Sequence, residues 1–262
     1  MFYVLGDIHG QTAALDRALR LIEADGGADR PLYFVGDLVD RGPDSRGVIQ
    51  RIIDGQDAGR DWHCTLGNHD LMFAQFVLTG RVSHPEIKSG KTWLHHRLGG
   101  VHTLASYMAE NELDHPEWTS WAEAQEAGLD PSSASLQQAL SDAARAAVPE
   151  RHIDWITALP LMCDAPDNHL IVHAGLRPGR PLAKQTRSDL TWIRDGWLDY
   201  DGPLDHRVVH GHTALDFPAH HGNRINTDGG AGYGRPLVPC VYEGGQWFTL
   251  DETGRTPLQP AA

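Results

Sequence analysis

Short apolar runs alternate with polar, glycine-containing turns along much of the chain. Met1-Phe2-Tyr3-Val4-Leu5 leads into Gly6-Asp7-Ile8-His9-Gly10. Leu32-Tyr33-Phe34-Val35 leads into Gly36-Asp37-Leu38-Val39-Asp40-Arg41-Gly42, and the run 62–66 into Gly67-Asn68-His69-Asp70. Apolar runs of this length, closed by turn residues, predict buried strands. Between them Ala14, Leu15, Ala18, Leu19 and Ile22 recur at helical spacing, as do Val48, Ile49, Ile52 and Ile53. That spacing predicts amphipathic helices. Strand, turn and helix in alternation predict parallel βαβ units. In such sheets ligands gather beyond the carboxyl ends of the strands, where all three polar motifs fall.

The middle of the chain follows another rhythm. From about residue 71 to 159 the pattern is mainly helical, broken at Pro116, Pro131 and Pro149. The clearest helix covers 135–148, with a serine cap among Ser132, Ser133 and Ser135. No linker-like or low-complexity segment sets this region apart. It is expected to be a helical insertion within a single domain spanning 1–250. Strands resume at Leu170-Ile171-Val172 before His173-Ala174-Gly175, and at Arg207-Val208-Val209 before His210-Gly211-His212-Thr213. Another, Arg224-Ile225-Asn226, precedes Thr227-Asp228-Gly229-Gly230. Segments 237–242 and 246–250 flank Glu243-Gly244-Gly245, which predicts a hairpin. Residues 251–262 are expected to form a loose C-terminal tail.

Charge narrows the partners. Asp and Glu number 35 against 22 Lys and Arg, a formal net charge of −13. Such a chain repels nucleic acid and anionic membranes, so neither is expected as a partner. Cations bound at one site can still invert the local field. No run reaches the roughly 18 apolar residues that cross a bilayer. The start lacks a basic region and a cleavage pattern, so it is read as a first strand and not as a signal peptide. Cys64, Cys163 and Cys240 are far apart and form no C-x-x-C pair. A disulfide framework is therefore not expected, and a reducing cytoplasm is the expected setting.

The polar motifs carry the chemistry. Aspartate, asparagine and histidine at strand ends are oxygen and nitrogen donors that suit Mn, Fe or Zn better than Cu(I). One such motif arises easily by chance; five in compatible contexts do not. The order GDIHG (6–10), GDLVDRG (36–42), GNHD (67–70), HAG (173–175) and GHT (211–213) resembles the calcineurin-like metallophosphoesterases. It is most similar to the phosphoprotein phosphatase family, particularly its bacterial branch, and to the related diadenosine tetraphosphatases. The similarity runs from residue 1 to about 250, tight at the motifs and loose in the helical middle. GDLVDRG, with its arginine, is the most discriminating piece.

The resemblance implies an α/β fold, a four-layer α/β/β/α sandwich with a helical insertion, holding two divalent metal ions. Manganese is the first expectation, with iron or zinc as alternatives. Asp7 and His9 would hold the first cation, Asp37 would bridge both, and Asn68, His173 and His212 would complete the second. In that family a water between the metals attacks phosphorus in line. Two cations about 3.5–4 Å apart acidify such a water and neutralise the phosphoryl oxygens. His69 would protonate the leaving group, oriented by Asp40. Arg41 and, less directly, Arg194 would clamp phosphate oxygens. His210 is the alternative to His212, since both flank Gly211. The family most often reads Gly-Asn-His-Glu, so Asp70 is a departure, expected to adjust the loop. Asp228 reads as a turn residue and Tyr233 as a marginal substrate contact. Trp93 and Trp118 are expected to line a pocket in the insertion.

The leading expectation is a phosphatase acting on phosphomonoesters, above all phosphoserine or phosphothreonine in proteins. A symmetrical diadenosine tetraphosphate hydrolase is the alternative, so the partner is a phosphoprotein or a phosphorylated small molecule or nucleotide. A catalytically inactive metal-binding module is disfavoured because no ligand or acid position is missing. A nuclease is disfavoured by the acidic charge and by the lack of a basic or aromatic-interleaved stripe.

Overall fold

The computed structural model describes residues 1–108 and 134–260. Strands β1 (Phe2–Leu5), β2 (Leu32–Phe34) and β3 (Trp62–Cys64) pair in parallel. Helices α1 (Thr12–Ala24) and α2 (Ser45–Asp57) connect them. α1 buries Leu15, Ala18, Leu19 and Ile22, and α2 buries Val48, Ile49, Ile52 and Ile53, the residues marked by the helical spacing. Asp44 caps α2 by accepting from Gly47 N at 2.7 Å, a bond that satisfies one free N–H of the first turn. β4 (Met162–Ala165), β5 (His169–Val172), β6 (Arg207–His210), β7 (Ala219–His220) and β8 (Arg224–Asn226) form a second sheet in the order β4-β5-β6-β8-β7. Its inner pairs, β5 with β6 and β6 with β8, are parallel. β9 (Cys240–Glu243), β10 (Gln246–Asp251) and β11 (Gly254–Pro257) extend the first sheet antiparallel from β1, in the order β11-β10-β9-β1-β2-β3.

Alternation along each strand sorts side chains into layers. Phe2, Val4, Tyr33 and Val35 meet Ile171, Val209 and Ile225 between the two sheets. Tyr3, Leu5, Leu32 and Phe34 turn the other way, onto α1 and α2. Leu170, Val172 and Val208 face Leu190, Ile193 and Trp197, around helix α7 (Arg187–Trp192). This is the expected α/β/β/α sandwich, and burial on both faces explains why the strands read as unbroken apolar runs.

Helix α3 (Asn68–Thr79) begins at the GNHD motif itself. α4 (Gly100–Tyr107), α5 (Ala134–Ala147) and α6 (Glu150–Ala158) follow. Leu140, Ala144, Val148, Ile153 and Ile156 share one core with Met72, Phe73 and Phe76 of α3. Pro116, Trp118, Pro131, Ser132 and Ser133 lie outside the described residues. The segment after Asp251, expected to be loose, instead makes β11. Asp251 Oδ1 accepts from Thr253 N at 2.7 Å, which tightens the turn, and Arg255 bridges to Asp25 at 2.8 Å and to Glu243 at 2.5 Å. Among the described residues no helix is long and apolar enough to cross a membrane.

Candidate metal centre

The five motifs converge at the carboxyl ends of the strands of both sheets. Asp7 and His9 follow β1, Asp37, Asp40 and Arg41 follow β2, and Asn68 and His69 open α3. His173 follows β5 and His212 follows β6. Asp7, His9, Asp37, Asn68, His173 and His212 are all buried. His9 Nε2 lies 3.9 Å from Asp7 Oδ2 and 3.7 Å from Asp37 Oδ2. Asn68 Oδ1 lies 2.9 Å from His173 Nε2 and 2.8 Å from His212 Nδ1, and His173 Nε2 is 3.4 Å from Asp37 Oδ1. Among the described residues two groups suited to a cation result, His9 with Asp37 and His69, and Asp37 with His173 and His212. Asp37 belongs to both. His210 points elsewhere: its Nδ1 is 3.0 Å from Gly211 O, and its ring packs on Trp197 with centroids 5.4 Å apart.

The donor set fits divalent cations, and hydrogen bonding gives the reason. His9 Nδ1 sits 2.7 Å from Val39 O, and His173 Nδ1 sits 2.9 Å from Val35 O. A carbonyl can only accept, so Nδ1 carries the proton in each ring and Nε2 presents a lone pair to the centre. Burial holds His9 and His212 well below the usual imidazole range, so both stay neutral. His173 Nε2 and Asn68 Oδ1 meet at 2.9 Å, both aimed into the centre. Burial, then Asp228 and Asp37, pushes Asp7 well above the usual carboxylate range. Asp228 is itself 3% exposed and held against Asp7. Converging acceptors and crowded carboxylates in the interior are costly unless positive charge joins them. Asp228 is also the turn residue the sequence predicts, since Gly230 N donates to its Oδ1 at 2.9 Å. Its position after a central strand and before two glycines is the signal that could have placed it here.

The backbone is bent to deliver these groups. Seven non-glycine residues among those described have positive φ, and His9, Asp37, Asp40, Arg41 and His212 are five of them. Such conformations cost about 1–3 kcal/mol each and persist where surrounding contacts over-determine them. One contact is Asp70, which accepts from Gly67 N at 3.0 Å, Asp37 N at 2.9 Å and Leu38 N at 2.8 Å. Its carboxyl ties the first turn of α3 to the loop after β2. Gly67 permits this approach, since a Cβ there would lie 2.2 Å from Asp37 Oδ1. Asp70→Ala would leave three buried N–H groups unpaired, at about 1–3 kcal/mol each. The expected outcome is a melting temperature lower by about 10 °C; a shift within about 1 °C would deny Asp70 this role.

Beside the centre lies an acid–base pair. His69 Nδ1 is 2.5 Å from Asp40 Oδ2, and Asp40 has no solvent exposure. Burial pushes Asp40 up to about 7, against hydrogen bonds from Thr103 and Trp93, and pulls His69 down to about 3. Both directions disfavour separated charge, so one proton is shared between Oδ2 and Nδ1. Arg41 Nη1 is 2.6 Å from His9 Nε2, and Nη2 is 3.2 Å from His69 Nε2. The guanidinium thus lies across both imidazoles, under the Tyr233 ring at 4.8 Å. Trp93, expected to line a pocket, is instead fully buried, and its Nε1 donates to Asp40 Oδ2 at 2.8 Å.

A cavity of about 570 Å³ opens from Arg41, Asn68 and His69 and runs between segment 86–89 and residues 188–195. Arg194 lines it and donates from Nη2 to His212 O at 3.2 Å, while Arg177 and Lys88 add two further cations to its wall. Asp189 fixes that side. It closes a capping box with Thr186 and accepts from Arg177 Nε at 2.7 Å. The two walls also touch. Ser188 Oγ donates to Glu86 Oε1 at 2.5 Å, Lys88 Nζ lies 3.3 Å from Asp195, and the rings of His84 and Trp192 stack 4.9 Å apart.

Comparison with known proteins adds the context. The family model described as calcineurin-like phosphoesterase matches residues 1–237. A symmetrical bis(5'-nucleosyl)-tetraphosphatase of Paracidovorax citrulli (strain AAC00-1) is 34% identical over 138 residues, which are 43% of this chain and 48% of that protein. The chain thus spans about half the length of the curated relatives it matches. A solved structure described as a candidate diadenosine tetraphosphatase superposes with a TM-score of 0.60 at 22% identity, covering 99% of this chain and 94% of its own. A cold-active protein-tyrosine phosphatase of a psychrophilic Shewanella gives 0.54 at 16% identity, covering 98% and 80%. Both structural likenesses are of fold.

Proposed function

This chain belongs to the calcineurin-like phosphoesterases, and on that premise we propose that it hydrolyses a small, nucleotide-sized phosphoric substrate by symmetrical cleavage of diadenosine tetraphosphate. The cavity beside His69 carries this reading. Its volume of about 570 Å³ falls in the range of small-molecule sites. Arg41, Arg177, Arg194 and Lys88 line it together with Glu86 and Asp195; Arg177 and Lys88 are paired with Asp189 and Asp195, which leaves Arg41 and Arg194, beside the centre, to meet phosphate oxygens. The curated relatives named for that substrate support the same choice.

The residues divide the work. Asp7 and His9 would hold one divalent cation and Asn68, His173 and His212 the other, with Asp37 contributing to both. Bound there, the cations supply charge neutralisation at phosphorus and a water acidic enough to attack at neutral pH. Carboxylate, amide and imidazole donors suit manganese, with iron or zinc acceptable. Arg41 and Arg194 donate to non-bridging oxygens. His69 would take up a proton from solvent at Nε2 and pass it to the leaving oxygen, while Asp40 holds Nδ1–H and offsets the charge of the doubly protonated ring. Arg41 Nη2 lies 3.2 Å from His69 Nε2, which places the guanidinium within reach of the oxygens of a phosphoryl group bound beside His69. The proposed setting is a reducing cytoplasm, and the proposed unit a single domain over 1–250 including insertion 71–159.

A second reading is hydrolysis of phosphomonoesters, including phosphoserine and phosphothreonine in proteins. The His69–Asp40 pair favours it, because an alkoxide needs a proton to leave and a nucleoside diphosphate needs it less. One assay separates the two. The manganese-loaded protein is given diadenosine tetraphosphate, a phosphoserine peptide and p-nitrophenyl phosphate, and products are resolved. ADP as sole nucleotide product is the expected result. ATP with AMP would contradict symmetrical cleavage, and peptide turnover alone would select the second reading. No turnover with any divalent metal would sink both.

A further inference from the structure

We propose that Trp93 and Thr103, from the segment between α3 and α5, are positioning residues that lock the Asp40 carboxylate so that it fixes the ring plane and tautomer of His69. The inference rests on the phosphoesterase reading above and deepens it: the insertion is part of the catalytic assembly as well as a wall of the cavity.

Both oxygens of the Asp40 carboxyl are engaged. Oδ1 accepts from Thr103 Oγ1 at 2.7 Å, and Oδ2 accepts from Trp93 Nε1 at 2.8 Å while facing His69 Nδ1 at 2.5 Å. The backbone N–H of Asp40 donates to Thr103 Oγ1 at 2.8 Å and to Ser45 Oγ at 3.1 Å. Thr103 thus accepts from the main chain of Asp40 and donates to its side chain, closing a ring around one residue. That residue has φ 75°, a left-handed conformation that lasts only where neighbours impose it. Ser45 Oγ, 3.0 Å from Thr103 Oγ1, braces the same hydroxyl.

Neither donor is free to turn away. Trp93 has no exposure and packs against Phe73 and Phe76, with ring centroids 6.0 and 5.0 Å apart. Gly100 lies so close that a Cβ there would sit 2.4 Å from the indole. Thr103 is likewise fully buried, on α4. The same turn clamps the next residue as well: His102 Nδ1 donates to Arg41 O at 2.6 Å, and Arg41 N donates to Gly99 O at 3.4 Å. A carboxylate fixed at both oxygens leaves the imidazole one orientation. A catalytic group held in one geometry by a packed supporting layer is what proton transfer at a fixed distance requires.

The test compares Thr103→Val, Trp93→Phe and the conservative Thr103→Ser. Each is assayed on p-nitrophenyl phosphate, whose leaving group needs no proton, and on benzyl phosphate, whose leaving group does. The ratio of kcat on benzyl phosphate to kcat on p-nitrophenyl phosphate should fall about tenfold or more in Thr103→Val and Trp93→Phe, a part of the full general-acid contribution. KM should stay within about twofold, since neither residue lines the cavity, and Thr103→Ser should keep the wild-type ratio. A merely structural role would lower both activities alike and leave the ratio unmoved, which would overturn the proposal. A second readout is independent of turnover. In metal-free protein labelled with ¹⁵N-histidine, the Nδ1 proton of His69 should give a far-downfield resonance in the wild type and in Thr103→Ser. It should be lost to exchange in Thr103→Val; its persistence there would also overturn the proposal. A wild type that hydrolyses nothing would count against the phosphoesterase reading, and the resonance would still decide this one. If Trp93→Phe does not fold, the Thr103 pair decides alone.

Discussion

His69→Asn should lower kcat on benzyl phosphate by about 10²–10⁴-fold, the usual reach of a general acid, while both cations remain bound. Asparagine fills much of the imidazole volume and can still donate toward Asp40, but it carries no transferable proton. The loss on p-nitrophenyl phosphate should be much smaller. Metal content decides a real ambiguity of the geometry. His69 lies close enough to His9 and Asp37 to complete a three-residue cation group, and its ring meets that of His9 edge to face at 4.8 Å. Its Nδ1 is nevertheless held by the buried carboxyl of Asp40, where the rings of His9 and His173 have a backbone carbonyl. If His69→Asn loses a metal equivalent by elemental analysis, His69 is a ligand and the acid assignment fails. If both cations stay and alkyl esters still turn over at the wild-type rate, another group supplies the proton.

What was legible in the sequence follows from how local each requirement is. Asp7, His9, Asp37, Asn68, His173 and His212 sit in short motifs at strand ends, because a ligand, its turn and the glycine beside it are neighbours in the chain. α1 and α2 were legible from single-helix periodicity. His212 and His210 were not separable that way: two residues apart they would share a strand face, and what parts them is the left-handed backbone at His212, φ 66°, beyond the end of β6. Thr103 is 63 residues from Asp40 and Trp93 is 53. Their neighbourhood reads only as apolar and helical, so nothing local ties them to an acid. β4 and β7 are edge strands of four and two residues, and pairing with β5 and β8 defines them more than composition does. The fold of the tail is set by Arg255 reaching Asp25, 230 residues away, which no window along the chain can reveal.

Asp37→Asn should abolish turnover to at least about 10³-fold below wild type, about 4 kcal/mol on the barrier, and the loss should begin with one cation. Oδ2 of Asp37 faces His9 Nε2 at 3.7 Å, on the side of Asp7. Oδ1 faces His173 Nε2 at 3.4 Å, on the side of Asn68. One carboxylate therefore addresses both halves of the centre with different atoms. The amide N–H of His69 donates to Oδ1 at 2.9 Å, and that bond dictates how an asparagine would sit. Its oxygen must take the Oδ1 place, which leaves the NH₂ group in the Oδ2 place, aimed at His9. A donor cannot ligate a cation, so the Asp7–His9 half should empty first, with up to one equivalent retained by Asn68, His173 and His212. Elemental analysis after gel filtration, run beside activity, reads both outcomes. Two tightly held equivalents in Asp37→Asn would show that Asp37 bridges nothing. Loss confined to the His173–His212 half would show that the amide sits the other way and that the His69 N–H does not set its orientation.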